Sequence, residues 1–267
     1  MSLESQISAL VAASNNLTQS VNNKIAEIDN QIQAAIKAIP ELNKVFYIDS
    51  VAGNDNAAGT ESSPLKTIRS AVDRTPQNGS VLICIKRNQD HVMSGSQPSV
   101  IDATNKVITI SSYGAGNKPV IKMHCVNTDV GSIAYGFMVS IFSVITVIDC
   151  VIDTGSLPLG GVNTYDMFGG FVSRMGTTGE VGTVQLTLSY CDVILRDHQL
   201  SSHYGRVDYN FRAVTISHVG KQVHLNSGGD TFHCTLNGVT LTDTTKTLRQ
   251  CLRGATASNT LTNISMV

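Results

Sequence analysis

Charge is what this chain has least of. Only 15% of its 267 residues are charged, well under the roughly 25% usual for a soluble domain. With a formal net charge of −1, no global field draws it to nucleic acid or anionic lipid, and neither is expected as a partner. Serine, threonine, asparagine and glycine fill the polar positions, as on a β-rich surface of uncharged hydrogen-bonding groups. Long apolar runs are missing too. The most apolar stretch, Phe137–Ile148, is too short to span a bilayer and is broken by Ser140, Ser143 and Thr146, so membrane insertion is not expected. The start, Met1-Ser2-Leu3-Glu4, lacks the basic region and apolar core of a signal peptide, which implies synthesis in a cytoplasm. The six cysteines (84, 125, 150, 191, 234 and 251) have no CxxC spacing and lie in apolar runs. Buried free thiols are expected of them rather than disulfides or metal ligands.

What is present begins with a stem. Apolar or small residues recur at Leu3, Ile7, Leu10, Ser14, Leu17, Val21, Ile25, Ile28, Ile32, Ala35 and Ile39, and no proline or glycine interrupts them before Pro40. The steps of three and four make a heptad seam with one extra four-step at Val21–Ile25, a stutter that locally unwinds a supercoil. A stripe this narrow fits a coiled coil better than a helix packed on a globular core. Isoleucine at 25, 28, 32 and 39 favours three strands over two. Residues 1–44 are therefore expected to form a trimerising stem, with Pro40 to Lys44 as a short link; packing on another protein, or on its own body, is the competing use of the helix.

The stretch Val45 to Gly79 follows. It reads as a short strand, then turns at Gly53-Asn54-Asp55-Asn56 and Gly59, then a helix capped by Ser63 with Pro64 in its first position. Leu65, Ile68, Ala71 and Val72 share one helical face, and Pro76 with Asn78-Gly79 ends the unit. Such a helix can cover the open end of a set of strands. The residues Tyr47-x-Asp49, Gly53-x-Asp55, Gly59-Thr60, Pro64-Leu65-Lys66-Thr67-Ile68 and Ala71-Val72 resemble the start of pectate-lyase-like right-handed parallel β-helices, notably those of bacteriophage tail fibres and tailspikes. The resemblance implies a mainly β fold: the stem, a capping strand–turn–helix segment over 45–79, and a parallel β-helix over 80–267. An ordinary βα unit is the competing reading, but little downstream looks helical.

Strands are expected at Val81–Ile85, Val107–Ser111, Val120–Met123, Phe137–Ile152, Val184–Leu195, Tyr209–Ser217, Val223–Leu225, Thr231–Leu241 and Thr260–Met266. A weak repeat, apolar-x-x-apolar-x-apolar, starts at Val147, Leu188, Phe211, Leu236 and Leu261, at steps of 41, 23, 25 and 25. Steps near 24 match one turn of a solenoid. The long step spans Gly155–Gly182, expected to be an inserted loop or hairpin. Cys150 and Cys191 hold equivalent places in the repeat and so belong to one internal ladder. A β-sandwich is the structural alternative.

No catalytic constellation emerges: phosphate-loop, HExxH and GxSxG patterns are absent. Glycoside hydrolysis would need paired carboxylates, and Asp149 with Asp153 and Asp192 with Asp197 are the candidates to meet on adjacent coils. Five of seven histidines fall between His198 and His233 without metal-ligand spacing, so neither metal nor cofactor is expected. The densest outward-looking polar set is Arg196, Asp197, His198, His203, Tyr204, Arg206 and Asp208, suited either to a surface glycan or to a solvated turn. Together with the resemblance, these features imply a homotrimeric virion fibre or spike. Its stem would attach to a tail or baseplate protein, and its β-region would bind a host-surface saccharide. A polysaccharide depolymerase of the same fold and an architectural head or baseplate decoration are the alternatives.

Overall fold

The computed structural model describes residues 2–93, 99–128, 131–139, 142–161, 169–174, 183–202, 206–226 and 231–264. The chain divides into two compact units, Met1–Leu42 and Asn43–Val267. The first is a single helix, α1 (Leu3–Leu42). Its start is capped by Ser2, whose hydroxyl oxygen accepts the Ser5 N–H at 3.3 Å, and Glu4 complements the positive end of the helix dipole. No link is found from Pro40 onward: α1 runs on to Leu42 and the first strand begins at Asn43. A proline near a helix C-terminus lacks the N–H that would bond four residues back, so its cost is confined to the final turn. Seam residues Leu3, Ile7, Leu10, Leu17, Val21, Ile25, Ile28 and Ile32 are all exposed, at 49–72%. The side chain of Ile39 lies outside the described set.

The second unit is mainly β. It opens with β1 (Asn43–Ile48) and a short helix α2 (Ile68–Asp73), then passes repeatedly through the same sheets. The first passage is β2 (Ser80–Lys86), β3 (Asp90–Val92) and β4 (Ile101–Asp102); the second is β5 (Val107–Tyr113), β6 (Val120–Lys122), a hairpin β7 (His124–Thr128) and β8 (Gly131–Tyr135), then β9 (Phe137–Val139). The third is β10 (Phe142–Ile148), β11 (Val151–Asp153) and β12 (Val172–Arg174); the fourth is β13 (Thr183–Ser189), β14 (Asp192–Leu195) and β15 (Ser201–Ser202). Then come β16 (Arg206–Arg212) and β17 (Thr215–His218), β18 (Thr231–Asn237) and β19 (Thr240–Leu241), and last β20 (Thr260–Thr262). An eight-stranded sheet has the order β1-β2-β5-β10-β13-β16-β18-β20, a six-stranded sheet β3-β6-β11-β14-β17-β19, and a four-stranded sheet β4-β9-β12-β15. Every pairing in these three sheets is parallel, whereas the β7–β8 hairpin is antiparallel. A β-sandwich, assembled from antiparallel hairpins and Greek keys, does not fit this pairing.

Alternation along each strand sends every second side chain inward. In-register rows result: Phe46, Ile83, Ile110, Val147, Leu188, Phe211 and Leu236 in the large sheet, and Ile121, Ile152, Val193 and Ile216 in the six-stranded one. All are buried. The sequence repeat coincides with the corner between these sheets. Its third position holds Asp149, Tyr190, Ala213 and Gly238, with φ of 56°, 57°, 52° and 64°. One left-handed residue turns the chain and still donates its N–H across the ladder: Asp149 to Ser189 O, Tyr190 to Arg212 O and Ala213 to Asn237 O, each at 2.9 Å. The fourth position, Cys150, Cys191 and Val214, is buried again. Cys150 and Cys191 do occupy one ladder, and all six cysteines are free, but only four are buried: Cys84 and Cys125 are half-buried, which corrects the expectation for those two.

These corners correct the expected strands. Phe137–Ile152, Val184–Leu195, Tyr209–Ser217 and Thr231–Leu241 are each broken into separate strands, because a corner of one left-handed residue leaves the apolar run unbroken. Val223–Leu225 is not a strand; the neighbouring Asn226 makes an isolated bridge to Ser201. Gly155–Gly182 is more than an insertion, since it contains β12 of the four-stranded sheet, while 162–168 and 175–182 lie outside the described residues.

The segment Val45–Gly79 folds as strand, turns and helix, but the helix starts later than expected. Its N-cap is Thr67, whose hydroxyl oxygen accepts the Ser70 N–H. Leu65 donates its N–H to Tyr47 O and accepts the Asp49 N–H, both at 2.9 Å, so it extends alongside β1 and cannot be helical. Ile68, Ala71 and Val72 are buried on the helix face that the spacing predicts.

Candidate functional site

The motif residues of 45–79 work structurally. Asp55 accepts the N–H groups of Lys66 and Thr67 at 3.0 and 2.9 Å, and the Thr67 hydroxyl at 2.9 Å, fixing the start of α2. Asp49, 2% exposed, accepts from Val51 N, Ala52 N, Lys86 Nζ and Gln89 Nε2 at 2.6–3.0 Å. Burial alone would raise its carboxyl, but these donors outweigh it and hold the group well below the usual carboxylate range. Gly53 has no room for a side chain: a Cβ there would lie 2.1 Å from the Leu65 carbonyl oxygen.

A candidate binding site lies instead where successive passages leave the six-stranded sheet. The segments after β11, β14, β17 and β19 line a cleft of about 430 Å³, formed by Leu157, Asp197, Lys221, Gln222, Val223, His224 and Arg253. Asp197 organises its floor, accepting the Leu157 N–H at 2.9 Å and the Lys221 N–H at 3.1 Å. Burial raises the Asp197 carboxyl and the two amides, with Lys221 and His198, more than reverse this, so it is held below its ordinary range. Gln222 accepts the N–H groups of Val223 and His224 at 3.0 and 3.1 Å and donates to Gln199 at 3.1 Å. Buried Asn226 clamps Arg253 from both sides, accepting its N–H at 3.0 Å and donating to its carbonyl at 2.9 Å. Gly220 lets the turn press on Arg196, where a Cβ would come within 2.3 Å of backbone.

The polar set expected over 196–208 does not form one surface. Asp197 lines the cleft, while Arg196 is turned to Asp153 at 2.7 Å. His198 is fully buried, which corrects its expected outward orientation. His203 and Tyr204 lie outside the described residues. Arg206 and Asp208 are on β16 beside a second cleft of about 460 Å³ lined by Arg206 and His233. There Asp208 lies 3.3 Å from Arg206 and 3.1 Å from His233. Lys221, Gln222 and Arg253 went unremarked in the sequence, and His224 was noted only as one of the clustered histidines, because they join Asp197 only through the register of later passages.

The acids proposed to meet are each otherwise engaged. Asp149 binds Arg87 and accepts from Ser112 at 2.7 Å, Asp153 binds Arg196, and Asp192 binds Lys118 at 2.9 Å. Asp149 stands at the corner position of Tyr190, whereas Asp192 pairs with Val151, so register sets them apart. Among the described residues, no group of three or more His, Cys, Asp or Glu is disposed to hold a metal ion. No helix among them is long and apolar enough to cross a membrane.

No protein-family model and no curated protein matches the chain. The chain aligns distantly with two crystal structures of GH136 lacto-N-biosidase from Eubacterium ramulus. The selenomethionine derivative aligns at 16% identity and a TM-score of 0.37, over 89% of this chain and 40% of that one. The native protein aligns at 15% and 0.39, over 80% and 38%. This chain thus spans about two fifths of that enzyme's length. A likeness this distant carries nothing about chemistry to the present chain.

Proposed function

We propose that the chain is the subunit of a homotrimeric virion fibre or spike, attached through α1 and exposing its β-rich unit to saccharides on a host surface. The observation that carries this reading is the apolar seam of α1, exposed at 49–72% along a 40-residue helix. A stripe of that length and narrowness is stable in water when it meets copies of itself, and isoleucine-rich positions favour three. In the same reading the parallel sheets are the walls of a right-handed β-helix. Support comes from the constant order in which the chain visits them and from the unbroken inward rows. The phage assignment rests on the resemblance of 45–79 to tail-fibre and tailspike β-helices.

Two measurements test the reading. Light scattering after size exclusion is expected to give three times the 28.5 kDa chain mass; a monomer sinks the fibre reading. Antibody raised against the purified chain is expected to decorate a tail appendage on negatively stained virions. Labelling of the head alone would favour a decoration protein.

A further inference from the structure

We propose that the cleft formed by Asp197, Lys221, His224 and Arg253 binds an anionic group of a saccharide, a carboxylate or a phosphate, with Lys221 and Arg253 as its cations. The saccharide part rests on the function proposed above; the anionic part rests on the cleft's own residues. Two permanent cations and one carboxylate are among the side chains that line it. That carboxylate accepts two backbone N–H groups, so its charge orders the turn that carries Lys221. The second cleft offers a single permanent cation, Arg206, with the Asp208 carboxylate 3.3 Å from it.

Geometry favours the same site. The cations are presented by backbone that Asn226, Gln222 and Asp197 fix through hydrogen bonds, so the ordering required on binding is that of the two side chains themselves. A guanidinium offers a fork that matches two oxygens of a carboxylate or phosphate, and an ammonium adds a point charge beside it. Leu157 and Val223 give the wall an apolar patch against which a sugar ring can lie. The volume of about 430 Å³ falls within the range of small-ligand pockets.

The test uses the full chain and three immobilised polymers: polygalacturonate for carboxylate, a ribitol-phosphate teichoic acid for phosphodiester, and neutral dextran. Binding to at least one anionic polymer is expected, weakening as salt rises, with none to dextran. Lys221→Ala with Arg253→Ala should weaken it by about tenfold or more, with oligomeric mass and circular dichroism unchanged. Lys221→Arg, which keeps the charge, should retain it. Equal binding to dextran, no binding to either anionic polymer, or binding indifferent to the double alanine change would overturn the proposal. A chain that decorates a virion appendage yet ignores both polymers refutes the site and leaves the fibre reading standing. Polymer binding by a monomeric chain refutes the fibre and leaves the site.

Discussion

His91 is the odd member of an inward row. It pairs with Ile121, and the row continues through Ile152, Val193 and Ile216. At 2% exposure its Nε2 donates to the Lys86 carbonyl at 3.0 Å, while Nδ1 has no partner among the described residues. Burial lowers its pKa; the Lys86 carbonyl, Asp49 and Asp90 pull the other way without reversing it. The folded state therefore binds this proton less readily than the unfolded chain, whose histidine titrates near about 6.5. The stability it protects is complete above that pH and declines as pH falls below it. The melting temperature is expected to drop between about pH 7 and 5, and His91→Gln, which can keep the Lys86 bond without titrating, should flatten the decline. An equally steep fall in the variant would refute the assignment. Nothing in the sequence marks His91, since its role depends on which strand lies beside it. Cys150 and Cys191 were legible because they sit within the apolar repeat itself.

Elements show the same division. The repeat was visible as apolar spacing, and its third, variable position is where the chain turns. A left-handed L-residue costs about 1–2 kcal/mol, while glycine adds about 0.5–1 kcal/mol of unfolded-state entropy. Ala213→Gly should therefore stabilise by up to about 1 kcal/mol and Gly238→Ala destabilise by about as much. The latter is a conformational effect, because a Cβ at Gly238 would meet Ala213 at an ordinary 3.7 Å. Urea unfolding of both variants measures this, and a destabilising Ala213→Gly with a neutral or stabilising Gly238→Ala would exclude strain at the corner. The start of α2 was misread for a related reason. Ser63-Pro64 has the local chemistry of a helix start, but Leu65 is claimed by β1 through two backbone bonds that local sequence does not reveal.

For the molecule as a whole, the parallel sheets were legible from the opening segment and the repeat together, because both report inward rows. The candidate site was not. Asp197 and Arg253 are far apart in the chain and share a cleft only once the register of the passages between them is set. The proposed assembly rests on the seam, where Ile28 and Ile32 are 52% and 49% exposed in the single chain. Ile28→Asp with Ile32→Asp would bring six carboxylates to the axis of a trimer. Light scattering is expected to show monomers, with the circular dichroism of the β-rich unit retained. A trimer that survives would place the contact elsewhere.

Thr183 pairs with Arg206, 23 positions on, and so does each residue of β13 with its partner in β16. In genetic terms this passage is a removable unit. An in-frame loss of codons 183 to 205 would bring β16 against β10 and β17 against β11. Phe211 would then meet Val147, Val214 would follow Cys150, and Ile216 would meet Ile152, apolar on apolar throughout. The large sheet would lose one strand, about 4.8 Å of its width, and keep its register. Unequal recombination at such a locus can change the size of the protein by whole passages without inventing a new core.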